Sequence, residues 1–102
     1  PLTHELFAND AIFFTDLRSK KVTLKNPATG YGVEVSYPDF ATVAFWTAAA
    51  TKAPFLCVEP WNGSAIRSDE DDNFLNRHFL QKLEGEASKE YRIEIKKISQ
   101  QL

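Results

Sequence analysis

The chain has 102 residues, 43% of them hydrophobic and 25% charged, with a net charge of −2. That is the composition of one small globular domain. It offers no broad basic footprint for nucleic acid or an anionic membrane. No apolar run approaches the roughly 20 residues that span a bilayer, so neither partner is expected.

The chain reads mostly as short strands separated by turns. Ala11 to Leu17, AIFFTDL, is the first predicted strand. KKVTLKN alternates, with Val22 and Leu24 on one face and Lys21, Thr23 and Lys25 on the other. NPATGYG then supplies Asn, Pro and two glycines, a turn signal. VEVSY alternates again, with Val33, Val35 and Tyr37 opposite Glu34 and Ser36, which predicts a hairpin with one wet face. FATVAFWTA and FLCVEPW are apolar on both faces, the pattern of strands covered above and below. A helix over Thr42 to Lys52 is the rival reading, because AAATK is helix-friendly, but the β-branched and aromatic content before it favours a strand. SDEDDNFLNRHFLQKLEGE is polar and predicts a long loop with a short helical turn, begun by Ser68. In GEASKEYRIEIKKI, Tyr91, Ile93 and Ile95 share one face of a closing strand. The sum is an all-β, mostly antiparallel sheet or sandwich of about five or six strands, treated as a single domain.

Few stretches carry chemistry. The start, PLTHELFAND, lacks the basic region and apolar stretch of a secretory signal. The single cysteine, Cys57, excludes an internal disulfide and a multi-cysteine metal site, and reads as a small core residue. Both features point to a cytoplasmic, reduced setting. The acidic run Asp69 to Asp72 has the first spacings of a calcium loop. It places Phe74 and Leu80 where that loop needs glycine and glutamate, so it reads as a solvated loop and no metal is expected. His4 and His78 have no partner at metal-ligand spacing and read as surface or capping residues. Asn62-Gly63-Ser64 matches a glycosylation acceptor but reads as a turn. No nucleotide or phosphate motif is present, and no cofactor is expected.

Glu59 is the exception. In a strand, Phe55, Cys57, Glu59 and Trp61 share a face, with Leu56 and Val58 opposite. Pro60 lacks an N–H and should end regular pairing there. A carboxylate at the end of an apolar run must be paired, hydrogen-bonded or protonated. It is either a structural glutamate meeting Arg67, or a general base at the lip of a sugar site with Trp61 as an apolar platform.

APFLCVEPWNG resembles the C-terminal catalytic segment of the aldose 1-epimerase (galactose mutarotase) family, and most of all its LacX-like bacterial branch. HELFANDAIFF, DFATVAFWTA and LQKLEGEASKEYRIEI resemble neighbouring segments of the same family. The resemblance implies a β-supersandwich fold and the interconversion of the α and β anomers of a free hexose. It places Glu59 as the general base that takes the anomeric proton, and Asn9 and Asp10 as residues that hold sugar hydroxyls, beside the sugar-binding platform already read at Trp61. Asn9 stands where many relatives have aspartate, and Asp10 falls on the variable position beside it. The family's general-acid histidine lies upstream of these motifs, and neither His4 nor His78 matches it. The chain, which starts at Pro1, is therefore expected to be a C-terminal portion carrying the base half of an acid–base pair. Alone it should be inactive, and its uncovered apolar faces should favour self-association. The alternative is a non-catalytic carbohydrate-binding protein on the same scaffold.

Overall fold

The alternating stretches and the two runs apolar on both faces become six short strands in the computed structural model, which describes residues 1–65 and 67–99. They are β1 (Ile12–Thr15), β2 (Lys21–Lys25), β3 (Gly32–Ser36), β4 (Thr42–Trp46), β5 (Cys57–Trp61) and β6 (Glu94–Ile98). The only helical elements among the described residues are three single 3-10 turns, His4–Phe7, Ala49–Thr51 and Phe74–Asn76. The fold is all-β, as the alternation predicts, and the helix-friendly AAATK contributes only the turn at Ala49–Thr51. No helix among the described residues is long and apolar enough to cross a membrane.

The strands pair in two antiparallel sheets of three, in the orders β1-β4-β5 and β2-β3-β6. The chain divides into two compact units. One comprises Pro1–Asp16 with Ala41–Lys82, and the other Leu17–Phe40 with the segment from Leu83 onward.

In the first unit β4 is central. Val43 and Ala44 are both 0% exposed, so each face of this strand is covered. Phe7, Thr42 and Thr47 are buried with them. β5 shares the two-sided apolar sequence, yet it lies at the sheet's edge and its residues are half-buried. That position explains a departure from the sequence reading. Pro60 does not end the strand; it pairs with Val43, and the ladder runs on to Trp61 opposite Thr42. An edge strand has one row of backbone groups without a partner strand, so a missing N–H costs least there. Asn62 then turns the chain, its Oδ1 accepting the Ala41 N–H at 3.3 Å. Gly63 follows in the left-handed region at φ +87°, a conformation that costs other residues energy.

In the second unit the predicted hairpin forms in register, with Val22 opposite Val35 and Leu24 opposite Val33. The Asn26 carbonyl accepts the Gly30 N–H, and Asn26 Oδ1 accepts the Ala28 N–H, so the side chain closes the turn. β6 docks on the far side of β3, setting Ile95 beside Val35. It is shorter than predicted: Tyr91 and Ile93 precede it, and Ile95 is 73% exposed on this edge. The approach to β6 is fastened from a distance. The Arg92 N–H donates to Asp39 Oδ2 at 2.7 Å, and the Tyr91 ring packs 5.7 Å from that of Phe40. Asp39→Ala is expected to lower stability by about 1 kcal/mol, the net value of one such bond. Hydrogen exchange should show the Arg92 amide losing protection while the hairpin amides of β2 keep theirs.

Candidate functional site

Alternation along β5 puts Cys57, Glu59 and Trp61 on one face, and the register with β4 aligns them with Trp46, Ala44 and Thr42. On the other side of β4, Phe13 lies level with Ala44 and Thr15 with Thr42. One face of the sheet therefore collects Phe13, Thr15, Thr42, Ala44, Glu59 and Trp61. Ala44 and Thr42 are small, which lets the outer strands' aromatics meet over the central strand. The rings of Phe13 and Trp61 are 5.3 Å apart at 86°, an edge-to-face contact. The hydroxyls of Thr15 and Thr42 are 3.2 Å apart.

Glu59 is half-buried on this face, and Trp61 Nε1 donates a hydrogen bond to its Oε2 at 3.1 Å. Among the described residues no lysine, arginine or histidine side chain pairs with it. Arg67 sits 4.0 Å from Asp69 instead, and Arg77 sits 3.3 Å from Glu70. The ion pair with Arg67, one of the two readings of Glu59 from sequence, is not formed. A half-buried carboxylate held by one neutral donor keeps an oxygen able to take a proton.

Two clefts open beside this face. One, of about 440 Å³, is lined by Phe13, Thr15, Thr42, Ser64, Arg67 and Phe79 among others. The second, of about 300 Å³, has Trp61, Asn62, Ser64, Arg77, His78 and Gln81 in its walls. Ser64 belongs to both, so they adjoin. The walls combine aromatic rings with hydroxyl, amide and cationic groups, a lining suited to a small polyhydroxylated molecule. Glu59 itself lines neither.

The loop after β5 forms much of these walls, and its roots are tied together. The Gly63 N–H donates to the Phe79 carbonyl at 3.0 Å, and Arg77 Nη2 donates to the Ser64 carbonyl at 2.9 Å. The Glu70 side chain is 7% exposed and faces Arg77, although neither Glu70 Oε1 nor Arg77 Nε has a hydrogen-bond partner among the described residues. The contact is thus Coulombic without the geometry of a hydrogen bond. His78 Nε2 lies 3.5 Å from Asp69 Oδ1.

Asn9 and Asp10 sit elsewhere. Both are exposed in the turn before β1; the Asp10 N–H donates to the Phe7 carbonyl, and Asp10 has φ +84°. The register sets them ahead of Ile12, beyond the end of β5 that starts at Cys57, while Trp61 lies at the other end. They line neither cleft. The residues that sequence reasoning missed are Phe13, Thr15, Ser64 and His78. Alternation in AIFFTDL could have put Phe13 and Thr15 on one face, but no local signal brings the loop residues Ser64 and His78 to Trp61.

The remaining candidates have structural partners. His4 Nε2 donates to the Ala53 carbonyl at 2.9 Å. Cys57 is half-buried opposite Trp46. In the acidic loop, Asp71 accepts from the Asn76 side chain and the Asn73 N–H, and these bonds hold its carboxyl below the usual carboxylate range. Asn73, not Ser68, caps the short turn, accepting the Leu75 N–H at 3.1 Å. Among the described residues no group of three or more His, Cys, Asp or Glu is placed to hold a metal ion.

Together these features describe an all-β protein with a half-buried carboxylate beside an aromatic pair. No protein-family model matches the chain, and no solved structure does. Two curated proteins of Lactococcus lactis subsp. lactis are similar to it, Protein LacX in its chromosomal and its plasmid form. Each is 36% identical to this chain over 69 residues, covering 68% of this chain and 23% of LacX. The chain is a relative of the LacX proteins and spans about a quarter of their length.

Proposed function

We propose that this chain is the general-base portion of a longer, cytoplasmic aldose 1-epimerase-like protein that interconverts the α and β anomers of a free hexose. The observation that carries the reading is Glu59: a half-buried carboxylate, without a cation partner among the described residues, on the aromatic face of the sheet. The resemblance of FLCVEPW to a mutarotase catalytic segment supports it, and the relation to LacX agrees with the LacX-like branch of that resemblance.

In this reaction the Glu59 carboxylate removes the proton from the anomeric hydroxyl. The electron pair forms the C1 carbonyl, the bond from C1 to the ring oxygen breaks, and an acid protonates that oxygen. Rotation about the C1–C2 bond and reversal of the steps give the other anomer. The acid is a histidine supplied by the rest of the longer protein. Trp61 offers the sugar an apolar surface, whereas Asn9 and Asp10, ahead of β1 at the other end of the sheet, lie outside the clefts beside it. The second reading, carbohydrate binding without turnover, draws on the Trp61 cleft, whose Asn62, Ser64, His78 and Gln81 supply polar groups that need no acid–base partner.

A LacX-length protein containing this segment is expected to accelerate equilibration of freshly dissolved α-galactose or α-glucose, followed by NMR of the anomeric protons. The 102-residue chain alone should leave the spontaneous rate unchanged. Saturable quenching of tryptophan fluorescence by the sugar, with no acceleration, would replace the epimerase reading with the binding one.

A further inference from the structure

Glu59 and Trp61 are two residues apart on an edge strand, where nothing in the ladder itself fixes their side chains relative to each other. Both are nevertheless held. The indole meets Phe13 edge-on across the small residues Ala44 and Thr42, and its N–H is spent on one oxygen of the carboxylate. The indole nitrogen can only donate, so this bond is made to the carboxylate as an acceptor. It occupies Oε2 and leaves Oε1 for a proton. The Phe13 ring, 5.3 Å away and nearly perpendicular, packs against the indole on the β4 side.

We propose that Trp61 is a positioning residue for Glu59, with Phe13 as its clamp. The indole N–H sets the direction of the carboxylate so that Oε1 is the proton-accepting atom. This assigns Trp61 a task separate from contact with a sugar, and it rests on the reading of Glu59 as a general base. A base held in one orientation does not have to be ordered again in each transition state, so the loss falls on the chemical step.

Two measurements test it. In the 102-residue chain labelled at its indole nitrogens, Trp46 and Trp61 give two N–H resonances. Glu59→Ala is expected to move the Trp61 resonance upfield and leave that of Trp46 in place; an unmoved resonance would overturn the proposal. In the LacX-length protein, Trp61→Phe keeps a ring against Phe13 but removes the donor. Its kcat should fall roughly 10- to 100-fold, the worth of a hydrogen bond to a charged group, with KM within about twofold of the parent. A raised KM at parental kcat would make Trp61 a sugar platform only and overturn the positioning role. If Trp61→Phe does not fold, Phe13→Leu decides, because it keeps the indole and removes its clamp; parental kcat there counts against the proposal. A LacX-length parent without epimerase activity would overturn the role together with the reading beneath it. An active parent with an unmoved resonance would overturn the positioning role alone.

Discussion

Glu59→Gln is expected to lower the anomer-interconversion rate of the LacX-length protein by about 10²- to 10⁴-fold, the usual contribution of one general acid or base. The substitution isolates the proton-accepting function. Glutamine has the shape of glutamate, and its amide oxygen still accepts the Trp61 N–H that now meets Oε2 at 3.1 Å. The half-buried site gains no unpaired charge, because none of the described cationic side chains faces Glu59. Folding and sugar affinity should therefore stay near the parental values while turnover falls. Anomeric-proton NMR reads the rate, and a thermal melt on the same sample checks the fold. A variant that equilibrates the sugar at the parental rate would remove Glu59 from the reaction.

Gly32→Ala is expected to cost about 2–3 kcal/mol of stability, at the upper end for a core forced to accept an added methyl. A Cβ at Gly32 would run into the carbonyl oxygen of Leu24, with Lys25 Cα at 3.0 Å and the Leu24 carbonyl carbon at 3.2 Å. All three atoms are backbone of the paired strand β2, so no side chain can turn aside to make room. Relief requires β2 and β3 to separate at the Lys25–Gly32 pair, beside the Gly30 turn. Gly32 also pairs with Ile98 on the other side, so the strain reaches both neighbours of β3. Gly85→Ala is the control: a Cβ there meets nothing within 4 Å, and its effect should stay within about 0.5 kcal/mol. Denaturant unfolding of the two variants gives the comparison. Equal midpoints for both would show that the β2–β3 pairing yields without cost.

Several features are legible from local alternation because a strand's side-chain period is 2 wherever the strand lies. Val22 and Leu24 against Val33 and Val35 specify the hairpin's register, and Asn26 to Gly30 specify its turn. The same rule puts Glu59 and Trp61 on one face before any partner strand is known. What alternation does not contain is the order of strands. β5 is as apolar as β4, yet only β4 is central, and the edge position of β5 is what allows Pro60 to stay in the ladder. The loop after β5 has no period at all. Its short turn is capped by Asn73 rather than Ser68 because the Asn73 side chain reaches the Leu75 N–H.

Local residue patterns are enough to make the protein all-β, to assign residues to strand faces, and to mark Glu59 as a carboxylate needing an explanation at the end of an apolar run. Tertiary structure alone decided the rest. It set β6 beside β3 despite the long stretch of chain between them, and it set β1 and β5 on opposite sides of β4. It left Glu59 without the arginine that the chain could have offered, and gave it the indole of Trp61, steadied by Phe13. The physical reason is range. Face and turn follow from φ, ψ and side-chain period within a few residues, whereas strand order, and with it Phe13 against Trp61, follows from burial shared between segments far apart in sequence.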